Sequence, residues 1–126
     1  MKLVTAFFAL ALTASAAHVY ELRTYTTHEG KLEALLARFR NHTTKLFEKH
    51  GMTNIGYWVP QDEPLKKNTL IYVIRHDSRE AAKKSWDAFR ADPEWKKVQA
   101  ESEAGGKINQ KVDFVYLDST DFSKLK

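Results

Sequence analysis

Between residues 30 and 50 the large apolar residues are Leu32, Leu35, Leu36, Phe39, Leu46 and Phe47, and their steps of three, four and seven trace one helical stripe. Lys31, Glu33, Arg38, Arg40, Lys45 and Glu48 fall mostly off that stripe. Gly51 follows, at the position where a helix ends in a left-handed turn. Before the helix the period changes. Residues 18–25 read as a strand rich in β-branched and aromatic side chains, and residues 26–30 as a turn in which Thr26 and Glu29 stand at capping-box spacing.

After the helix, residues 52–59 form a second predicted strand, with Ile55, Tyr57 and Val59 alternating against Asn54, Gly56 and Trp58. A polar loop with two prolines, residues 60–68, leads to a third strand at residues 69–76. Asp77 and Glu80 are again at capping-box spacing, and the helix they open carries Ala82, Trp86 and Phe89 inward. Asp92-Pro93 interrupts that helix and restarts it with proline at the first position, after which Trp95 and Val98 continue the apolar face. Gly105-Gly106 turns the chain into a last strand, residues 108–117, followed by a mostly polar tail. The order β-α-β-β-α-β predicts an α+β ferredoxin-like sandwich: a four-stranded antiparallel sheet with two helices on one face.

Such a sheet leaves its second face open, and a wetted face requires clean alternation of apolar and polar residues. The third strand instead sets Leu70, Tyr72 and Ile74 against Ile71 and Val73, and the fourth sets Val112, Phe114 and Tyr116 against Val115 and Leu117. Both faces read as buried, and a second copy stacking sheet to sheet is the economical cover. The first strand, central in this topology, departs from the pattern. Glu21, Arg23 and Tyr25 share one parity, opposite Tyr20, Leu22 and Thr24. The charged parity is expected to point into the covered second face, where a carboxylate and a guanidinium must pair or bind something. Two readings stay open: a structural ion pair that fixes packing or dimer register, and the polar floor of a ligand pocket.

The N-terminal segment changes the picture of the other end. Lys2, an apolar run from Leu3 to Leu12 broken by Thr5, and then small residues make a secretory signal pattern. Cleavage is expected after Ala16 or after Ala17. Residues 1–17 therefore read as a cleaved signal peptide and residues 18–126 as one domain, secreted or periplasmic. The run is too short to span about 30 Å of hydrocarbon, so no stable membrane insertion is expected after cleavage.

Composition then narrows the chemistry. The chain of 126 residues is 43% hydrophobic and 29% charged, which fits a globular domain. With no cysteine it has no disulfide, thiolate metal site or cysteine nucleophile. The net charge of +4 points weakly to anionic partners, and removal of the signal takes away Lys2 and no acid. Basic and acidic residues interleave along residues 83–97, which describes a solvated helix face rather than a nucleic-acid stripe, and no nucleic-acid partner is expected. There is no phosphate loop, dinucleotide fingerprint or nucleophile elbow.

The five histidines, His18, His28, His42, His50 and His76, form no metal-ligand pair at i, i+4, and neither a metal nor a cofactor is expected. His50 at a helix end suits the helix dipole. His76, at the end of the third strand, reads either as a general base at a pocket mouth or as a solvated strand-end residue. The tryptophans Trp58, Trp86 and Trp95 all read as core or interface, with a substrate platform as the alternative for Trp58 alone.

Three segments resemble a known family. Val19-Tyr20-Glu21-Leu22-Arg23-Thr24-Tyr25, with Gly30-Lys31-Leu32 opening a helix, is similar to the start of NIPSNAP-type domains. So is Ser85-Trp86-Asp87-Ala88-Phe89-Arg90-Ala91-Asp92-Pro93-Glu94-Trp95, and Thr120-Asp121-Phe122-Ser123 resembles the family's C-terminal signature. The resemblance implies a dimeric α/β-barrel, in which two ferredoxin-like sheets close on each other. That superfamily includes cofactor-independent monooxygenases, haem-handling enzymes and small-molecule binders, while the NIPSNAP branch has no well-established reaction. The expectation is an exported homodimer that binds or transforms a small organic molecule in a barrel cavity lined by Glu21, Arg23 and Tyr25, with Tyr72 or His76 as helpers. The alternative is a dimeric interaction or scaffold protein without catalytic activity.

Overall fold

The structure, a computed structural model, describes residues 2–6 and 18–126. The expected signal segment lies mostly outside the described residues; residues 2–6 are exposed and have no regular secondary structure. The elements are β1 (Val19–Thr27), α1 (Leu32–Arg38), a π-helical segment (Phe39–Thr43), α2 (Thr44–Lys49), β2 (Thr53–Trp58), a 3-10 turn (Leu65–Lys67), β3 (Thr69–His76), α3 (Arg79–Ala91), α4 (Pro93–Ser102) and β4 (Asn109–Leu117). The strands make one antiparallel sheet in the order β2-β3-β1-β4, with β1 central. This is the expected ferredoxin-like α+β fold, with all helices on one face.

Local chemistry explains where the elements begin and end. β1 runs two residues beyond its expected end. The Thr27 N–H donates to the Asn68 carbonyl at 2.8 Å, so Thr26 stays in the sheet and does not cap the helix. The helix begins instead behind Gly30, whose φ of +73° makes the turn, and has no side-chain cap. Gly51, at φ +83°, ends α2 as expected. On α3 the cap is Ser78, one residue later than expected; it is extended and its hydroxyl accepts from the Ala81 N–H at 3.0 Å. Asp92 caps α4, accepting from the Glu94 N–H at 2.8 Å ahead of Pro93. The same carboxylate accepts from Lys49 at 2.8 Å and lies 2.7 Å from His50 Nε2, tying α2 to the α3–α4 junction.

The long first helix is not uniform. Within it, Thr43 Oγ1 donates to the Arg38 carbonyl and Thr44 Oγ1 to the Phe39 carbonyl, at 3.3 and 3.0 Å, each five residues back. The widened π turn admits one extra residue and brings Arg38, Phe39 and Thr43 to the same buried side. Leu35, Phe39, Leu46 and Phe47 then meet Leu70, Tyr72 and Ile74 of β3 and Trp86 and Phe89 of α3 in one core. Phe47 is central to it, with Phe39, Tyr72, Trp86 and Phe89 all at ring-centroid distances of 5.1–6.0 Å.

The register corrects the expected assignment of faces. Glu21 pairs with Ile74, Arg23 with Tyr72 and Tyr25 with Leu70, so the charged parity of β1 lies on the side covered by the helices. Tyr20, Leu22 and Thr24 are the residues that point the other way. The charged parity goes inward because its charges are matched there by partners from other elements, described below. On the outer face Trp58 stacks across Gly56, and Val115 and Leu117 are exposed. Part of this face is covered by the chain's own tail: Tyr20 is buried and its hydroxyl donates to the Lys126 carbonyl at 2.9 Å.

Candidate functional site

A cavity of about 440 Å³ lies between the sheet and the helices of a single chain. Arg23 and Tyr25 enter it from β1, Arg38, Phe39 and Thr43 from the first helix, Trp86 and Phe89 from α3, and Trp95 and Glu103 from α4 and its end. Its size falls within the range of ordinary small-molecule pockets. A wider groove of about 740 Å³ opens beside the 3-10 turn, but Glu29, Glu33 and Lys67, its charged residues, project outward at the surface.

Behind the cavity stands a buried polar network. Glu21 is fully buried. One of its carboxylate oxygens accepts from Trp86 Nε1 and from His76 Nε2, each at 2.8 Å; the carboxylate sets Nε2 as the donor. The other accepts from the Arg23 guanidinium at 2.6 Å. Burial alone would raise the Glu21 carboxyl, but these bonds outweigh it and hold the group below its ordinary value of 4.5. Burial opposes the charge of Arg23 too; the oxygens of Tyr25 and Tyr72 and the Glu21 carboxylate reverse that and raise it above its ordinary value. The guanidinium carbon of Arg23 sits 4.3 Å from the centre of the Trp86 ring and 5.5 Å from that of Tyr25, a stacked cation in an aromatic slot. Its Nε, also buried, has no partner among the described residues.

The tyrosines continue the network. The Tyr72 hydroxyl donates to the Tyr25 hydroxyl at 2.8 Å, which leaves the Tyr25 proton for another acceptor. Burial pushes Tyr72 well above its ordinary phenol value, and Tyr57 stacks on it at 5.0 Å. On the opposite wall Arg38 is buried with weaker compensation. Its guanidinium donates to Ser102 Oγ at 3.2 Å and reaches the Glu103 carboxylate at 3.5 Å. Burial lowers its pKa, an effect that Glu103 offsets only in part.

The five residues expected to line a pocket thus separate. Arg23 and Tyr25 face the cavity. Glu21, Tyr72 and His76 are fully buried behind it: Glu21 accepts from Arg23 and Trp86, Tyr72 donates to Tyr25, and His76 donates to Glu21. His76 is therefore not a solvated strand-end residue; it is 1% exposed. Trp58, with a platform as its alternative reading, is 54% exposed on the other face of the sheet and away from the cavity, whereas Trp86 and Trp95 line the cavity. Arg38 was not anticipated. It stands three residues after Leu35 at the edge of the apolar stripe, where a charge reads as solvated, and Ser102 and Glu103 at the end of α4 pack against it. Among the described residues no group of three or more His, Asp or Glu side chains is placed to hold a metal, and no helix is long and apolar enough to cross a membrane.

The architecture is that of a single-sheet ferredoxin-like α+β domain with a cation-lined cavity between sheet and helices. Residues 20–124 match the NIPSNAP family model, and the chain belongs to the NIPSNAP family. Among solved structures it is similar to a NIPSNAP family protein of unknown function from Agrobacterium tumefaciens, at 19% identity and a TM-score of 0.75, covering 88% of this chain and 96% of that one. Another NIPSNAP family protein from the same organism is 21% identical, with a TM-score of 0.75 over 86% of this chain and 99% of the other. SnoaB, a cofactor-independent oxygenase from Streptomyces nogalater, shares the fold more distantly, at 12% identity and a TM-score of 0.55 over 86% and 99%. No curated protein matches the chain.

Proposed function

We propose that this NIPSNAP domain is exported, forms a homodimer, and binds or transforms a small organic molecule in the cavity between its own sheet and helices. The observation that carries the proposal is the pair of stacked, buried arginines, Arg23 and Arg38, that enter one 440 Å³ cavity from opposite elements, each with an unpartnered Nε among the described residues. Burying two guanidiniums beside an open space is expensive for stability alone. A ligand oxygen would satisfy them.

In this reading Arg23 and the Tyr25 hydroxyl hold a ligand oxygen, including one on which negative charge develops. Glu21 keeps Arg23, Trp86 and His76 in place. Its carboxylate is committed to three donors and held low, so it orients Arg23 rather than carrying a proton. Tyr72 orients Tyr25, and His76 locks Glu21 from the strand end. The kinship of fold with a cofactor-independent oxygenase is compatible with chemistry done by such side chains, but fold alone does not assign it. The dimer draws on the exposed Trp58, Val115 and Leu117 of the outer face, and export on the pattern of residues 1–17.

The alternative, a dimeric scaffold with no chemistry, uses the outer face alone and predicts an idle cavity. Native mass spectrometry of the mature protein from its own host separates the two. A bound small molecule, released on unfolding and lost in Arg23→Lys, is the expected result. Bare polypeptide, together with no cavity binding in a broad fragment screen, would favour the scaffold.

A further inference from the structure

Resting on the reading of this cavity as a small-molecule site, we infer that its ligand is an aromatic acid: a flat molecule of one or two rings whose carboxylate pairs with Arg38 and whose neutral ring oxygen, hydroxyl or carbonyl, meets Arg23 and Tyr25.

The two arginines are not equivalent, and the difference sets the ligand's polarity. Arg23 is already matched by a fully buried carboxylate at 2.6 Å. It offers hydrogen bonds without a surplus charge, which suits a neutral oxygen. Arg38 has only Glu103, 3.5 Å away and partly exposed, while its own side chain is 4% exposed. It is a guanidinium short of an anion. Arg90 and Lys107 add positive charge to the lining, and Glu103 is the only acid among the described residues that form it. A carboxylate brings one negative charge and the flat geometry that a guanidinium fork accepts. A phosphate monoester would bring about −1.5 to −2 charges, and no helix N-terminus or glycine-rich turn in the lining stands ready to receive them.

The walls specify the rest. Between the arginines the lining is ring after ring, Phe39, Phe47, Trp86, Phe89 and Trp95, whose faces and edges favour an aromatic body over an aliphatic one. At about 30 Å³ per water the cavity holds on the order of fifteen waters, room for one or two fused rings with their substituents. Asn109 Oδ1, buried and without a partner among the described residues, adds an acceptor that suits a ring hydroxyl.

Trp86 and Trp95 make the test optical. Tryptophan fluorescence and calorimetry are measured with 4-hydroxybenzoate, 6-hydroxy-2-naphthoate, their primary amides and phenyl phosphate. At least one acid is expected to bind tenfold or more tightly than its amide. Arg38→Met should abolish that preference by weakening the acid far more than its amide; Arg38→Lys should restore part of it. Glu103→Gln, at the cavity rim, should strengthen acid binding severalfold by removing the competing carboxylate, and it provides the readout should Arg38→Met fail to fold. Equal binding of acid and amide, tighter binding of phenyl phosphate, or a preference that survives Arg38→Met overturns the inference while leaving a small-molecule site in place. Absence of binding by every probe also overturns the aromatic-acid assignment; the broader reading stands or falls on the native mass spectrum and the fragment screen.

Discussion

Arg23 Nη1 lies 2.6 Å from Glu21 Oε2, two residues earlier on the same strand, and both side chains are buried on the helix-covered face of the sheet. The two charges need each other. Removing Glu21 leaves a guanidinium without its counter-ion, and also strands the Trp86 and His76 donors. Glu21→Ala is therefore expected to cost about 3–5 kcal/mol. The double variant Glu21→Leu with Arg23→Met removes both charges and should recover most of that loss. Urea unfolding of the three proteins measures this coupling. A loss under about 0.5 kcal/mol for Glu21→Ala, the level of an ordinary surface change, would show that the pair contributes nothing.

The same carboxylate makes stability depend on pH. Its folded pKa lies below its ordinary value of 4.5, because the donors from His76, Trp86 and Arg23 outweigh burial. Between the folded and unfolded values the unfolded chain binds more protons, so stability rises with pH there. The contribution is fully present above about 4.5 and is lost as pH falls through the folded value. Asp92 acts in the same direction, held low chiefly by the hydrogen bond from Lys49. Glu21→Gln should be less stable than the parent at pH 7 but fall less steeply between about pH 5 and 2. Parallel stability curves for the two proteins on the acid side would remove Glu21 from the account.

What could be read in advance follows from which interactions are local. The stripe Leu35, Leu36, Phe39, Leu46, Phe47 and the stop at Gly51 are local signals, and the helix they announce is present. The Asp92-Pro93 restart is equally local, since a capping carboxylate and a proline at the first position act within one turn. The central place of β1 followed from connectivity. The faces of β1 could not be read that way. Tyr20 and Leu22 are more apolar than Glu21 and Arg23, yet the charged parity is inside because His76 from β3 and Trp86 from α3 meet it there. Those partners lie 55 and 65 residues away in sequence. Arg38 was hidden in a similar way. It is the last residue of α1, three residues after buried Leu35 and at the edge of the stripe, where a charge reads as solvated; Ser102 and Glu103, more than sixty residues away, bury it.

Asp92 joins three elements through one side chain: it caps α4, accepts from Lys49, and meets His50. Asp92→Ala removes all of these at once and is expected to lower Tm by roughly 5 °C or more, from the loss of the cap alone. Asp92→Ser keeps a cap but not the charge, and should recover part of the loss. Thermal unfolding followed by circular dichroism ranks the three proteins. If Asp92→Ser is no better than alanine, the contribution lies in the Lys49 and His50 contacts rather than in the cap.

Trp58 covers Gly56 on the outer face so closely that a Cβ at Gly56 would enter the indole. Val115 and Leu117 of the edge strand β4 are exposed on the same face. If a second copy packs here, Val115→Glu places a charge in a sheet-to-sheet contact and should convert the dimer to monomer at micromolar concentration. Gly56→Ala should weaken the dimer less, because the half-exposed indole can swing away at small cost to the fold. Neither change touches the cavity, which lies on the other side of the sheet, so ligand affinity per chain should survive in both. Sedimentation velocity of the parent and the two variants reads the assembly state, and the fluorescence titration reads the cavity. A parent protein that sediments as a monomer at micromolar concentration removes the dimer outright. A dimer untouched by Val115→Glu moves the interface away from this face. Loss of ligand binding together with dimer loss would mean that the partner copy shapes the cavity through the sheet.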